Sequence, residues 1–179
     1  MLETERQELL RSLNAGCETL RESLAGVDDD LAKRKPASGG WSILECVEHV
    51  AVSERFLLSR LTNASSSGQS LENRARENWL AERAADRSRP IESPEVARPA
   101  GRFGSLSEAL GDFDLARAET VRFVAGFADE LRSRIIDHPM IPGPVNCMEI
   151  LHLAIAHPVR HAKQIAEIRA CLNSAKAQS

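Results

Sequence analysis

Two histidines near the end of the chain lie four residues apart, in the run His157-Pro158-Val159-Arg160-His161. On a helix that spacing places both side chains on one face, one turn apart. Both imidazoles can then reach one metal ion. Two ligands rarely make a closed site, so a third is sought in another helical stretch. His49 is the candidate, at the end of Trp41-Ser42-Ile43-Leu44-Glu45-Cys46-Val47-Glu48-His49. Neutral imidazole suits zinc, nickel, iron or copper. Three protein ligands leave a position open for water or substrate, the pattern of catalytic rather than structural zinc. The expectation is a mononuclear divalent-metal site made by His49, His157 and His161. Pro158 follows the first histidine where the H-E-x-x-H pattern has Glu, so the pair brings no general base with it.

Other residues share these faces. Glu45, four before His49, is a fourth ligand, an acceptor for an imidazole N–H, or simply half of a helix cap with Ser42. Cys46 is a thiolate ligand or a buried structural thiol. Gln164 extends the stripe of His157 and His161, as a holder of ligand or substrate or as plain packing. Arg160 binds an anionic substrate group or lies solvated at the rim. His152 sits five before His157, about 140° round the helix, and points elsewhere. His138, before Pro139, belongs to a loop. Pro158 removes one helical hydrogen bond, from its own nitrogen to the carbonyl of Ala154, at roughly 3 kcal/mol; a kink is expected before His161.

The elements that must position these residues are amphipathic helices. Four pairs read as capping boxes, in which a side-chain oxygen accepts from the backbone three residues on and a Glu or Gln reaches back: Thr4 with Gln7, Ser42 with Glu45, Ser105 with Glu108 and Asn146 with Glu149. The predicted helices run from about Thr4 to Ala25, Ser42 to Leu61, Ser105 to Arg134 and Asn146 to Asn173. Leu9, Leu13, Cys17, Leu20 and Leu24 give the first its apolar stripe. Residues 62–104 are least regular. A short helix is expected within Ser70–Arg87, then an extended crossover from Arg89 to Gly104, punctuated by prolines, that forms a wall or lid of the site. No strand alternation stands out, and Asp137 to Pro144 reads as a loop. The predicted fold is all-α, a four-helix bundle with one long crossover between its second and third helices, in a single domain over residues 1–179.

Bulk composition sets the remaining bounds. The chain has 179 residues and a formal net charge of −3, which gives no electrostatic case for nucleic acid. No apolar run approaches the roughly 20 residues that span a bilayer, and the acidic start Met1-Leu2-Glu3-Thr4-Glu5 has no signal-peptide character. Cys17, Cys46, Cys147 and Cys171 form no C-x-x-C pair and read as reduced thiols. A cytoplasmic protein acting on a small molecule is expected.

The run Gly40-Trp41-Ser42 through Glu45 to His49 resembles the second-helix motif of the DinB/YfiT-like superfamily, W-S-x-x-E with a His four after the Glu. Ile155-Ala156-His157 through His161 to Gln164-Ile165 resembles its last-helix signature, H-x-x-x-H-x-x-Q-I. His138-Pro139, Gly143 and the segment Arg98 to Ser105 fit the same pattern, so the resemblance spans nearly the whole chain. It implies a four-helix bundle that binds a divalent metal (zinc, nickel or iron) through His49, His157 and His161. Relatives include bacillithiol S-transferases and mycothiol-dependent maleylpyruvate isomerases, which use a low-molecular-weight thiol; others are described as metal-dependent hydrolases, and many are homodimers. The leading expectation is thus a thiol-dependent S-transferase or isomerase, the thiol step being implied by the resemblance alone. The alternatives are a hydrolase whose nucleophile is a metal-bound water, with Glu45 as base, and a non-enzymatic stress-linked binding bundle. Pro158 departs from the family pattern, which usually has a residue friendlier to helix there.

Overall fold

A computed structural model describes residues 1–37, 39–138 and 141–176. Its frame is four long helices: α1 (Glu3–Ser23), α3 (Ile43–Thr62), α5 (Leu106–Gly126) and α6 (Cys147–Lys176), with α2 (Asp29–Lys33) and α4 (Arg74–Ala85) in the connections. The chain is therefore a mostly helical four-helix bundle. The stripe expected on α1 is buried throughout, from Leu9 to Leu24. It meets α6 on one side and α5 on the other, and α3 completes the bundle against both. One apolar cluster joins Leu20, Ile43, Val47, Phe113 and Ile165; another joins Leu13, Leu61, Val124, Leu131 and Leu151.

The predicted caps fare unevenly. Ser42 with Glu45 and Asn146 with Glu149 close in both directions. Ser105 caps Glu108, but the Glu108 carboxylate accepts from Gly104 instead, one residue early. Thr4 caps nothing: α1 begins at Glu3 after Leu2 with no side-chain cap, and Gln7 bonds Glu3.

Two expectations are corrected. The third long helix stops at Gly126 rather than near Arg134. Arg6 of α1 takes the carbonyls of Val124, Ala125 and Phe127 with its Nη1, so α1 ends α5 by satisfying its last acceptors. The chain is also not purely helical. A small antiparallel sheet follows, ordered β1 (Ser65–Ser66), β2 (Arg134–His138) and β3 (Ile141–Asn146). Ile135 pairs with Asn146 and Ile136 with Val145, and the register shifts before His138 pairs with Ile141. β2 and β3 replace most of the expected 137–144 loop; Pro139 and Met140 lie outside the described residues.

The helix carrying Pro158 runs on through it. The Ala154 carbonyl, which cannot receive a bond from Pro158, accepts instead from Arg117 Nη2 at 2.7 Å. Arg117 lies on α5, fully buried, and its Nη2 also donates to Glu54 at 2.9 Å. Thr120 donates to the other Glu54 oxygen. A hydrogen bond from a charged donor contributes about 1.5–3 kcal/mol, enough to offset most of what the proline removes. Alongside, Gly16 of α1 leaves room for the approach: a Cβ there would stand 3.0 Å from the Ile155 oxygen and 3.2 Å from Pro158 Cγ.

Candidate metal centre

His49 sits midway along α3, and His157 and His161 face it from α6. The structure brings all three together. His157 Nε2 lies 3.0 Å from His49 Nε2 and 3.2 Å from His161 Nε2. The candidate ligand atoms of all three lie within 4.8 Å of one another. His49 and His161 are buried, while His157 is half-buried on the wall of a cavity. Trp41 leans on the group, its ring centroid 4.8 Å from that of His49 and near-parallel to His161 at 6.2 Å.

The crossover fixes one tautomer. A 3-10 turn over Glu95–Ala97 places the Ala97 carbonyl 2.7 Å from His49 Nδ1. A carbonyl only accepts, so Nδ1 carries the proton and Nε2 turns its lone pair toward the other two rings. The crossover is held in turn by Glu48, the neighbour of His49 in α3. Its carboxylate accepts from Ala100 N at 2.7 Å, Gly101 N at 3.1 Å and Arg102 Nη1 at 2.8 Å. Gly101, at φ +72°, permits the turn that aims successive amides at one carboxylate. Burial alone would push the Glu48 carboxyl up, yet these donors hold it below its ordinary value.

All three histidines are kept neutral. Burial lowers the His157 pKa well below the usual imidazole range, and the nearby His161 and His49 lower it further. His161 is also held well below that range, by burial, then by His49 and Arg160; Gln164 opposes the fall. His49 falls by burial and Arg160 against the Ala97 bond. Three neutral imidazoles meeting nitrogen to nitrogen cannot satisfy one another, because a shared proton serves one pair and leaves the third lone pair facing nitrogen. A cation takes all three. A tetrahedral ion with Zn–N bonds of about 2.0–2.1 Å sets its ligand nitrogens about 3.3 Å apart, close to the two short separations here. The donor set therefore fits a divalent metal.

The other candidate residues divide. Gln164 and Arg160 line the cavity with the histidines. Glu45 does not: its carboxylate is taken by the Ser42 amide and by Lys35 at 2.9 Å, so the capping reading describes where it lies and leaves no base there. Cys46 is buried away from the trio, and burial pushes its thiol up to about 12. His152 faces Glu77, as its angular offset requires. His138 ends β2 rather than sitting in a loop, and it borders the cavity. Sequence reasoning missed the parts played by Trp41, Glu48 and the Ala97 carbonyl. The place of Trp41 in the W-S-x-x-E motif and the adjacency of Glu48 to His49 were the signals that could have hinted at them.

The cavity measures about 480 Å³. Phe56, Leu57, Trp79, Leu80, Ile91 and Leu153 give it a mainly apolar lining. Its polar wall includes Arg83, Arg87, Arg160, Ser53, Ser93 and one carboxylate among the described residues, Glu92.

Fold and site together define a four-helix bundle with a buried trio of histidines able to hold a metal. The chain belongs to the DinB superfamily, whose family model matches residues 12–165. It is similar in structure to YfiT from Bacillus subtilis, described as a probable metal-dependent hydrolase with an unusual four-helix bundle topology. The TM-score is 0.65 at 14% identity, over 97% of this chain and 90% of that one. It is similar to the same degree to a conserved protein from Enterococcus faecalis, with a TM-score of 0.65 at 20% identity over 97% and 99% of the two chains. No curated protein sequence matches the chain. No helix among the described residues is long and apolar enough to cross a membrane.

Proposed function

We propose that the chain is a metal-dependent hydrolase of a small molecule bound in the cavity. The observation that carries this reading is the convergence of the His49, His157 and His161 Nε2 atoms on the wall of an apolar cavity. YfiT, similar in fold and described as a probable metal-dependent hydrolase, supports it. His49, His157 and His161 would hold a divalent ion, which would supply Lewis acidity and lower the pKa of a water toward neutrality. The chain's own residues do the rest. The Ala97 carbonyl keeps the His49 lone pair aimed inward. Phe56, Leu80 and Leu153 exclude bulk water from the apolar side of the substrate. Glu92 is the one carboxylate on the cavity wall among the described residues, whereas Glu45 is held in its cap.

The thiol-dependent transferase first expected rests on family resemblance alone, whereas hydrolysis agrees with the description of YfiT, so hydrolysis is the better reading. Elemental analysis of the purified protein, followed by ester and amide cleavage assays without added thiol, tests the proposal. About one divalent ion per chain is expected, lost in His49→Ala and in His161→Ala, with cleavage that stops on chelation and returns with metal. Stoichiometric metal persisting in both variants overturns the three-histidine site. Turnover of an electrophile only when both metal and a thiol are added overturns hydrolysis.

A further inference from the structure

We propose that the cavity binds a carboxylate-bearing molecule with an apolar body, its carboxylate seated on the Arg160 guanidinium beside the histidine trio. Which bond is cleaved rests on the hydrolytic reading; the anion seat rests on its own observations.

Three arginines of this chain are buried to at least 95%: Arg117, Arg132 and Arg160. Two have carboxylate partners. Arg117 pairs with Glu54, and Arg132 with Glu77 and Glu5. Arg160 has none within ion-pairing distance among the described residues. Its Nη2 donates to the Arg89 carbonyl at 3.0 Å, and its Nη1 is buried with no partner. The acidic groups that act on it from further away are otherwise engaged. Asp86 accepts from Ser88, and Glu167 accepts from Arg87 at 2.7 Å. A buried cation without a counter-charge is costly, and a guanidinium cannot shed its proton to escape the cost. The missing anion is therefore a ligand's.

The surroundings define that ligand. Arg160 shares the cavity wall with Arg83 and Arg87 against the single carboxylate of Glu92, so the wall favours negative charge. The apolar lining opposite suits a hydrocarbon or aryl body. Arg160 precedes His161 and follows His157 by three, one helical turn, where side chains lie about 5–6 Å apart at Cβ. An anion on Arg160 is thus only a few bonds from whatever group meets the trio. With Nη2 already holding Arg89, Nη1 is the unpartnered guanidinium nitrogen left for a singly charged carboxylate.

Calorimetric titration of the full chain with 4-phenylbutyrate and with 4-phenylbutyramide, a neutral near-isostere, tests the seat. The acid is expected to bind about tenfold or more tightly than the amide, with and without prior chelation of metal. Arg160→Gln is expected to abolish the preference, and Arg160→Lys to keep part of it, because the charge stays while the planar donor geometry goes. Equal binding of acid and amide by the wild type overturns the proposal, as does a preference that survives in Arg160→Gln. Metal is measured on the same samples. A wild type that holds no metal but prefers the acid overturns the hydrolytic reading and leaves the seat standing.

Discussion

Arg117 Nη2 lies 2.7 Å from the Ala154 carbonyl oxygen, the acceptor that Pro158 leaves vacant in the turn bearing His157. A proline inside a long helix is thereby supplied with a donor from a neighbouring helix, and α6 continues to His161. The same guanidinium neutralises Glu54, so charge and backbone are satisfied together.

That coupling is measurable. Arg117→Met is expected to destabilise the protein by about 3–5 kcal/mol, since it strands Glu54 as an unpaired buried carboxylate. In a Pro158→Ala background, residue 158 again donates to Ala154. The same substitution should then cost about 1 kcal/mol less. Urea denaturation of the four chains gives the comparison, and identical costs in both backgrounds would contradict the capture.

Gly16 and Gly111 make a matched pair, both inside long helices. Gly16→Ala drives a methyl against the Ile155 carbonyl and Pro158, and should destabilise by about 1–3 kcal/mol. Gly111→Ala meets nothing within 4 Å and should stabilise by about 0.5–1 kcal/mol. Thermal melts of both variants decide the matter; a neutral Gly16→Ala would mean the helices are less closely seated.

Glu48 and Glu45 separate the site from its scaffold. Glu48→Ala releases the crossover that carries Ala97 and should weaken metal binding about tenfold. Glu45→Ala removes half a cap, at about 1 kcal/mol of stability, with metal affinity unchanged. Competition titrations against a chelator, paired with melts, read both. A loss of affinity in Glu45→Ala would restore that residue to the site.

Glu5 should contribute to acid sensitivity. Burial raises its carboxyl, but hydrogen bonds from Arg132 and Arg74 outweigh that and hold it below its ordinary value. A carboxyl depressed in the folded state adds stability that is present above its unfolded pKa of about 4.3 and is lost as pH falls through the folded value. Glu5→Gln should therefore melt below wild type at pH 7, and the two melting temperatures should converge toward pH 3. A constant gap across that range would rule out the linkage.

Much of this molecule was legible in its residues. The apolar stripe of Leu9 to Leu24, the Ser42 and Asn146 caps, and the face shared by His157 and His161 are local patterns. Local patterns survive folding when burial agrees with them. The pairing of β2 with β3 was not legible, because strands this short, β3 with its two prolines, show no alternation, and because Arg6, distant in sequence, is what ends α5. The orientation of His49 was equally hidden. It depends on a backbone carbonyl 48 positions away, and every residue type carries one.

That last dependence separates two kinds of change. The crossover contributes the side chains of Ile91 and Glu92 to the cavity, but it grips His49 with the Ala97 main-chain oxygen, beside the Ser93 hydroxyl 3.3 Å from the same nitrogen. Ile91 and Glu92 can be exchanged, and the choice of what enters the cavity altered, while the grip on the histidine stays the same. Selectivity and metal-holding are in that sense separately adjustable within one short segment.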